Sequence, residues 1–155
     1  MGTTELSPQK RNKDHLFCRI RHRVVKATPE ERVRQDLVAC LLEKGYPAHL
    51  MAAEVLVENL TNLPNVPNRR VDIVCYHTRK GQVIPLLLVE CKARPPKAAV
   101  LSQINGYNFF IHAPFAALAW PGHIAISHQA TTWYEGSPHQ LPLFQELISN
   151  VYPNN

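Results

Sequence analysis

Two short stretches hold the residues whose types and spacing could do chemistry: Arg69-Arg70-Val71-Asp72-Ile73-Val74, and Leu86-Leu87-Leu88-Val89-Glu90-Cys91-Lys92. On a strand, side chains alternate between faces, so Glu90 and Lys92 share one face while Val89 and Cys91 share the other. A carboxylate and an ammonium group therefore stand side by side. If the two stretches form a hairpin in matching register, Asp72 comes to lie beside Glu90, and two carboxylates are available to one hard divalent cation. Such a cation polarises a phosphate oxygen and acidifies water, and a neighbouring lysine steadies the charge that develops. The chemistry this suits is phosphodiester hydrolysis by metal-activated water, with no covalent nucleophile. An apolar run leads up to Glu90, and a charged pair there is costly to bury without a metal or partner.

The elements that must position these groups can be read from periodicity. Leu16 to Val25 alternates with a period of two and predicts an edge strand. Thr28-Pro29-Glu30-Glu31 predicts a helix start: Thr28 caps, Pro29 suits the first turn, and Glu31 stands where a capping box places its carboxylate. Val33, Leu37, Cys40, Leu41 and Leu42 form the apolar face, and Gly45-Tyr46-Pro47 ends the helix. A strand over 52–58 and a loop over 59–68 follow. Strands over 70–76 and 84–92 are joined by Arg79-Lys80-Gly81-Gln82, which is turn chemistry. A helix is expected over 98–110, short strands over 115–120, 124–127 and 131–134, and a closing helix over 143–151. This order predicts an α/β fold with a mixed sheet flanked by helices.

The chain has 155 residues, which is enough for one core without disulfides or a structural metal. We expect a basic flexible leader over residues 1–13 and a single domain over 14–155. No apolar run approaches the roughly 18 residues of a membrane span, and no signal-peptide pattern opens the chain, so a cytoplasmic protein is expected. The four cysteines lie far apart, and the histidines lack zinc-ligand spacing. The net charge of +5 comes from the first 26 residues, where seven Lys or Arg face Glu5 and Asp14. That excess suits a polyanion, or simply a solvated leader.

Taken together, these residues resemble the PD-(D/E)XK nuclease superfamily, and within it the nuclease domain at the N-terminus of type I restriction enzyme R subunits. The similarity runs from Thr28 to Tyr107. It covers Thr-Pro-Glu-Glu-Arg-Val-Arg-Gln at 28–35, Gly45-Tyr46-Pro47, Glu54, the Asp72 stretch, Glu90-Cys91-Lys92 and Gln103-Ile104-Asn105-Gly106-Tyr107. The resemblance implies a restriction-endonuclease-like fold and a Mg²⁺-dependent deoxyribonuclease, with Mn²⁺ as an alternative ion. It makes Asp72, Glu90 and the Cys91 carbonyl metal ligands and Lys92 the catalytic lysine. Gln103 and Tyr107, one helical turn apart, correspond to a Gln-x-x-x-Tyr element that supports the site, and Glu31 or Gln35 to an accessory polar position. DNA is the implied partner, together with a separate motor or specificity subunit, and an oligomer is allowed. No G-x-x-x-x-G-K-[ST] phosphate loop is present, so the chain holds no ATP-driven translocase of that type. Val71 stands before Asp72 where many members have proline, and Ala119-Trp120-Pro121-Gly122 stands where a Thr-Asn-Gly-like turn is expected.

Other readings stay open. Glu54 is a further ligand or a partner of Arg69 or Arg70. Arg69, Arg70, Arg94 and Lys97 grip phosphate or are merely solvated. Trp120, Trp133 and Tyr134 stack on bases or pack. The rival function is a non-catalytic nucleic-acid-binding or assembly module with a nuclease-like fold, or a defence-complex subunit active only with its partners.

Overall fold

The structure, a computed structural model, describes residues 13–153. The expected leader lies outside the described residues except for Lys13. Strands β1 (His15–Cys18) and β2 (Arg23–Lys26) pair antiparallel as a two-stranded sheet of their own. The single edge strand expected over 16–25 is thus a hairpin that does not join the main sheet. The break falls at residues 19–22, where His22 takes a positive φ of 51° and the Cys18 sulfur accepts the Arg21 amide at 3.4 Å.

Helix α1 (Pro29–Glu43) starts as its sequence predicts, with Thr28 Oγ1 accepting the Glu31 N–H at 3.1 Å and Pro29 in the first turn. Only half of the expected capping box forms. The Glu31 carboxylate turns to cationic partners, and the Thr28 N–H donates to the Lys26 carbonyl instead. Gly45, at φ +82°, ends the helix where only glycine is unstrained.

The main sheet runs β3 (Met51–Leu56), β4 (Arg70–Arg79), β5 (Gln82–Cys91), β6 (Phe115–Trp120), β7 (His123–His128), β8 (Thr131–Gly136), in sequence order across the sheet. Strand β3 stops short of the expected Glu58 because Val57–Leu60 coils into a 3-10 turn. Lys80 and Gly81, both at positive φ, make the two-residue turn between β4 and β5, whose right-handed twist such turns match. Every neighbouring pair is antiparallel except β5 and β6, which are parallel and need a crossover. Helix α2 (Ala98–Ile111) is that crossover. Helix α3 (Phe144–Val151) closes the described chain.

Strand alternation sorts the core into two layers. Ile73, Leu87, Val89, Phe115 and Ala117 face α1 and α3, meeting Val33, Leu37, Leu41, Phe144 and Leu147. Val74, Leu88, Ala116 and Leu118 face α2, meeting Ile104, Tyr107 and Ile111. The fold is α/β, a mixed six-stranded sheet between helices, as the order of elements predicts. Among the described residues no helix is long and apolar enough to cross a membrane.

Candidate active site

The hairpin of β4 and β5 sets the site. Its backbone ladder ends at the pair Ile73–Val89, and the next position in the same register puts Asp72 opposite Glu90. There the strands stop pairing through their backbones. The Cys91 N–H, freed from the ladder, donates to Asp72 Oδ2 at 2.7 Å, and so fixes one oxygen of that carboxylate. Glu54 on β3, between the pairs Ala53–Ile73 and Val55–Val71, lies opposite Asp72 on its other side. By backbone position three acidic residues thus lie in a row across three strands, with Glu54 at a positive φ of 53° that interrupts the pairing.

Glu90 is only 6% exposed. Burial pushes its pKa up, the Asp72 charge pushes it further, and the Lys92 ammonium opposes both, leaving it raised to about 8. Two carboxylates forced this close favour whatever brings positive charge between them. Their hard oxygen donors suit Mg²⁺ or Mn²⁺, so the residues present fit the implied ion. Among the described residues no group of three or more His, Cys, Asp or Glu side chains forms a metal cage. Further donors to an ion at Asp72 and Glu90 would thus come from backbone, water or substrate.

Lys92 follows the last residue of β5, and its N–H donates to the Ala119 carbonyl at 2.8 Å, which anchors it to β6. It lines an open cleft of about 400 Å³ with Glu30, Arg94, Pro96, Lys97 and Val100. Arg94 and Lys97 are exposed on that rim. Gln103 Nε2 donates to the Tyr107 hydroxyl at 2.5 Å, so the two residues form the predicted pair on α2. Tyr107 is buried, and its pKa is raised first by that burial and then by the Glu90 charge, which ties this helix face to the carboxylates. Arg69 and Arg70 are exposed. Arg70 donates to the Glu54 carbonyl at 3.0 Å, and the Arg69 charge acts on Tyr107.

Helix α1 contributes differently from what its sequence suggests. Glu31 is buried with both oxygens engaged: Oε1 accepts from Arg21 at 2.6 Å and Gln35 at 2.8 Å, and Oε2 from Arg34 at 2.6 Å. These partners hold its pKa down against the burial that would raise it. Glu31 and Gln35 meet Asp72 only through Arg34, whose second nitrogen donates to Asp72 Oδ1 at 2.6 Å. The Glu54 side chain takes neither Arg69 nor Arg70. It takes Arg21 at 2.9 Å and lies 3.7 Å from Arg34.

Arg21 and Arg34 were absent from the sequence-derived candidates. A signal for Arg34 existed: it falls at 34 in the apolar stripe 34, 37, 38, 41 of α1, where an arginine must meet a buried acid. Arg21 gave no such signal, because its position in a turn follows only from the hairpin.

Neither curated proteins nor solved structures gave a match to the chain. One family model does match, that of the type I restriction enzyme R protein N-terminus, over residues 29–128. That stretch includes α1, the paired carboxylates, Lys92 and the Gln103–Tyr107 pair. With most of its length matched, this chain belongs to the family of type I restriction enzyme R protein N-termini.

Proposed function

We propose that the chain is a metal-dependent nuclease that hydrolyses DNA phosphodiester bonds within a restriction system. The observation that carries this reading is the register that sets Asp72 opposite Glu90, with Lys92 two residues on, lining an open cleft shared with Arg94 and Lys97 that the two carboxylates themselves do not line. Asp72, Glu90 and the Cys91 carbonyl would hold one Mg²⁺ or Mn²⁺. When bound, that ion supplies Lewis acidity toward phosphate and lowers the pKa of water. The chain's own residues do the rest. Lys92 stands ready to steady negative charge gathering on the phosphate, Gln103 and Tyr107 brace the wall behind Glu90, and Arg94 and Lys97 draw in the polyanion. The reading takes DNA as substrate, a motor or specificity subunit as partner and the cytoplasm as location; the family match supports a place in a DNA-restricting complex.

The test is nicking of supercoiled DNA by the purified protein with Mg²⁺ or Mn²⁺, alone and with partner subunits of the same system. Lys92→Ala should abolish cleavage while leaving the fold intact. Equal cleavage by variant and wild type, or none with any partner, discards the proposal.

A second reading, a silent assembly module, draws on the guanidinium of Arg34 already seated on Asp72. It predicts that DNA binding survives Asp72→Asn unchanged and needs no divalent ion.

A further inference from the structure

Arg34 is the most tightly enclosed charge in the described chain. It is 5% exposed, and its two terminal nitrogens reach Glu31 and Asp72 at 2.6 Å each. Its Nε is buried and has no hydrogen-bond partner. Leaving such a donor unsatisfied is costly, and native proteins tolerate that where something else is gained. The geometry indicates what is gained. Asp72 is held from two directions, Oδ2 by the Cys91 amide at 2.7 Å and Oδ1 by Arg34 at 2.6 Å, so its carboxyl plane cannot swing. The planar fork of an arginine can grip two carboxylates at once, which the single ammonium of a lysine does less well.

The same network settles which acids remain for a metal. Glu31 has both oxygens taken by Arg21, Gln35 and Arg34. Glu54 lies between Arg21 at 2.9 Å and Arg34 at 3.7 Å. Glu31 thus accepts three hydrogen bonds while Asp72 accepts one on each oxygen, so each Asp72 oxygen keeps an acceptor site for a divalent cation beside Glu90. A second divalent ion near Asp72 would have to displace a guanidinium that is locked on three sides.

We propose that Arg34 is the residue that positions Asp72 for metal binding, and that its guanidinium, standing where a second cation would otherwise sit, limits the site to one divalent ion. This rests on the nuclease reading of Asp72 and Glu90. It assigns α1 a cationic role at the site, through Arg34, in place of the accessory polar one suggested for Glu31 or Gln35.

The test is Mn²⁺ binding to the intact chain without nucleic acid, followed by calorimetry and by the electron-spin resonance of free Mn²⁺. Wild type should take one ion. Arg34→Met should bind it about tenfold or more weakly, the size of effect expected when the partner that orients a ligand is lost. The direction is diagnostic, because removing a positive charge would by electrostatics alone tighten cation binding. Equal or tighter binding by Arg34→Met, or two ions on wild type, overturns the proposal and leaves the nuclease reading standing. No Mn²⁺ on wild type overturns both. Should Arg34→Met fail to melt cooperatively, Arg34→Lys decides: it keeps the charge but loses the double grip, so weaker binding is expected and unchanged affinity refutes the role.

Discussion

Glu90 concentrates the electrostatic conflict of this molecule, since it is buried and opposite Asp72, with Lys92 and a backbone hydrogen bond at Asp72 relieving it in part. Its pKa rises from an ordinary 4.5 to about 8 in the fold. A raised pKa means that the folded state holds its proton longer than the unfolded one. The associated stability is complete below the unfolded pKa and is lost as pH climbs through the folded one. The metal-free protein should therefore lose stability from about pH 4.5 to about pH 8 relative to Glu90→Gln, whose amide never ionises. The comparison must be a difference between the two proteins, because buried His77, with its pKa lowered by burial and by Arg79, has the opposite slope. Parallel melting curves at every pH would show that the carboxylates do not oppose each other. The placement of Asp72 opposite Glu90 was legible in the sequence because a hairpin in register fixes which residues face each other, whereas Lys92 lies just past the end of β5, where strand alternation no longer applies. Arg34 was not legible: a helix register on one sequence does not say which of Glu31, Arg34 or Gln35 reaches a strand across the core.

Among the elements, α1 carries the Arg34 lever, so whatever fixes its first turn fixes the site. Thr28→Ala removes the oxygen that holds the Glu31 N–H at 3.1 Å, and should cost about 1 kcal/mol in a urea or thermal titration. A loss too small to measure would mean that Pro29 and the packing of Val33 and Leu37 fix the start unaided. The helices and the strands of the main sheet were readable, because turn residues mark them: Gly45, the Lys80-Gly81 pair and Pro121-Gly122 all stand where the chain reverses. The β1–β2 hairpin was not, because Arg19 to His22 include no glycine or proline and the alternation runs on through Ile20, weakening only at His22. Its turn is made by the Cys18 sulfur, which accepts both the amide and the Nε of Arg21, an interaction without a sequence signature.

For the molecule as a whole, exposed cations should govern the encounter with DNA. Arg94 and Lys97 flank the Lys92 cleft, while Arg69 and Arg70 leave the long loop ahead of β4. Each phosphate contact steepens the salt dependence of binding, with a slope of about −0.9 per contact on duplex DNA. Replacing Arg94 and Lys97 together by alanine should flatten the plot of log affinity against log salt by about 1 to 2. An unchanged slope would move the DNA path away from this rim. The mixed sheet and its two helical faces could be foreseen from the sequence, but the separate sheet at the start of the described chain could not, since periodicity marks a strand without saying which sheet it joins.

The link from Arg21 to Glu31 and Glu54 bears on how this unit could be moved between proteins. Arg21 lies before residue 29, and Phe144 and Leu147 of α3 lie beyond residue 128, so all three fall outside the matched stretch. A graft trimmed to that stretch would carry both glutamates with Arg34 but without Arg21, the guanidinium that hydrogen-bonds to both, and would leave one wall of the larger core open to water. The transferable piece begins no later than the β1–β2 hairpin and runs through α3.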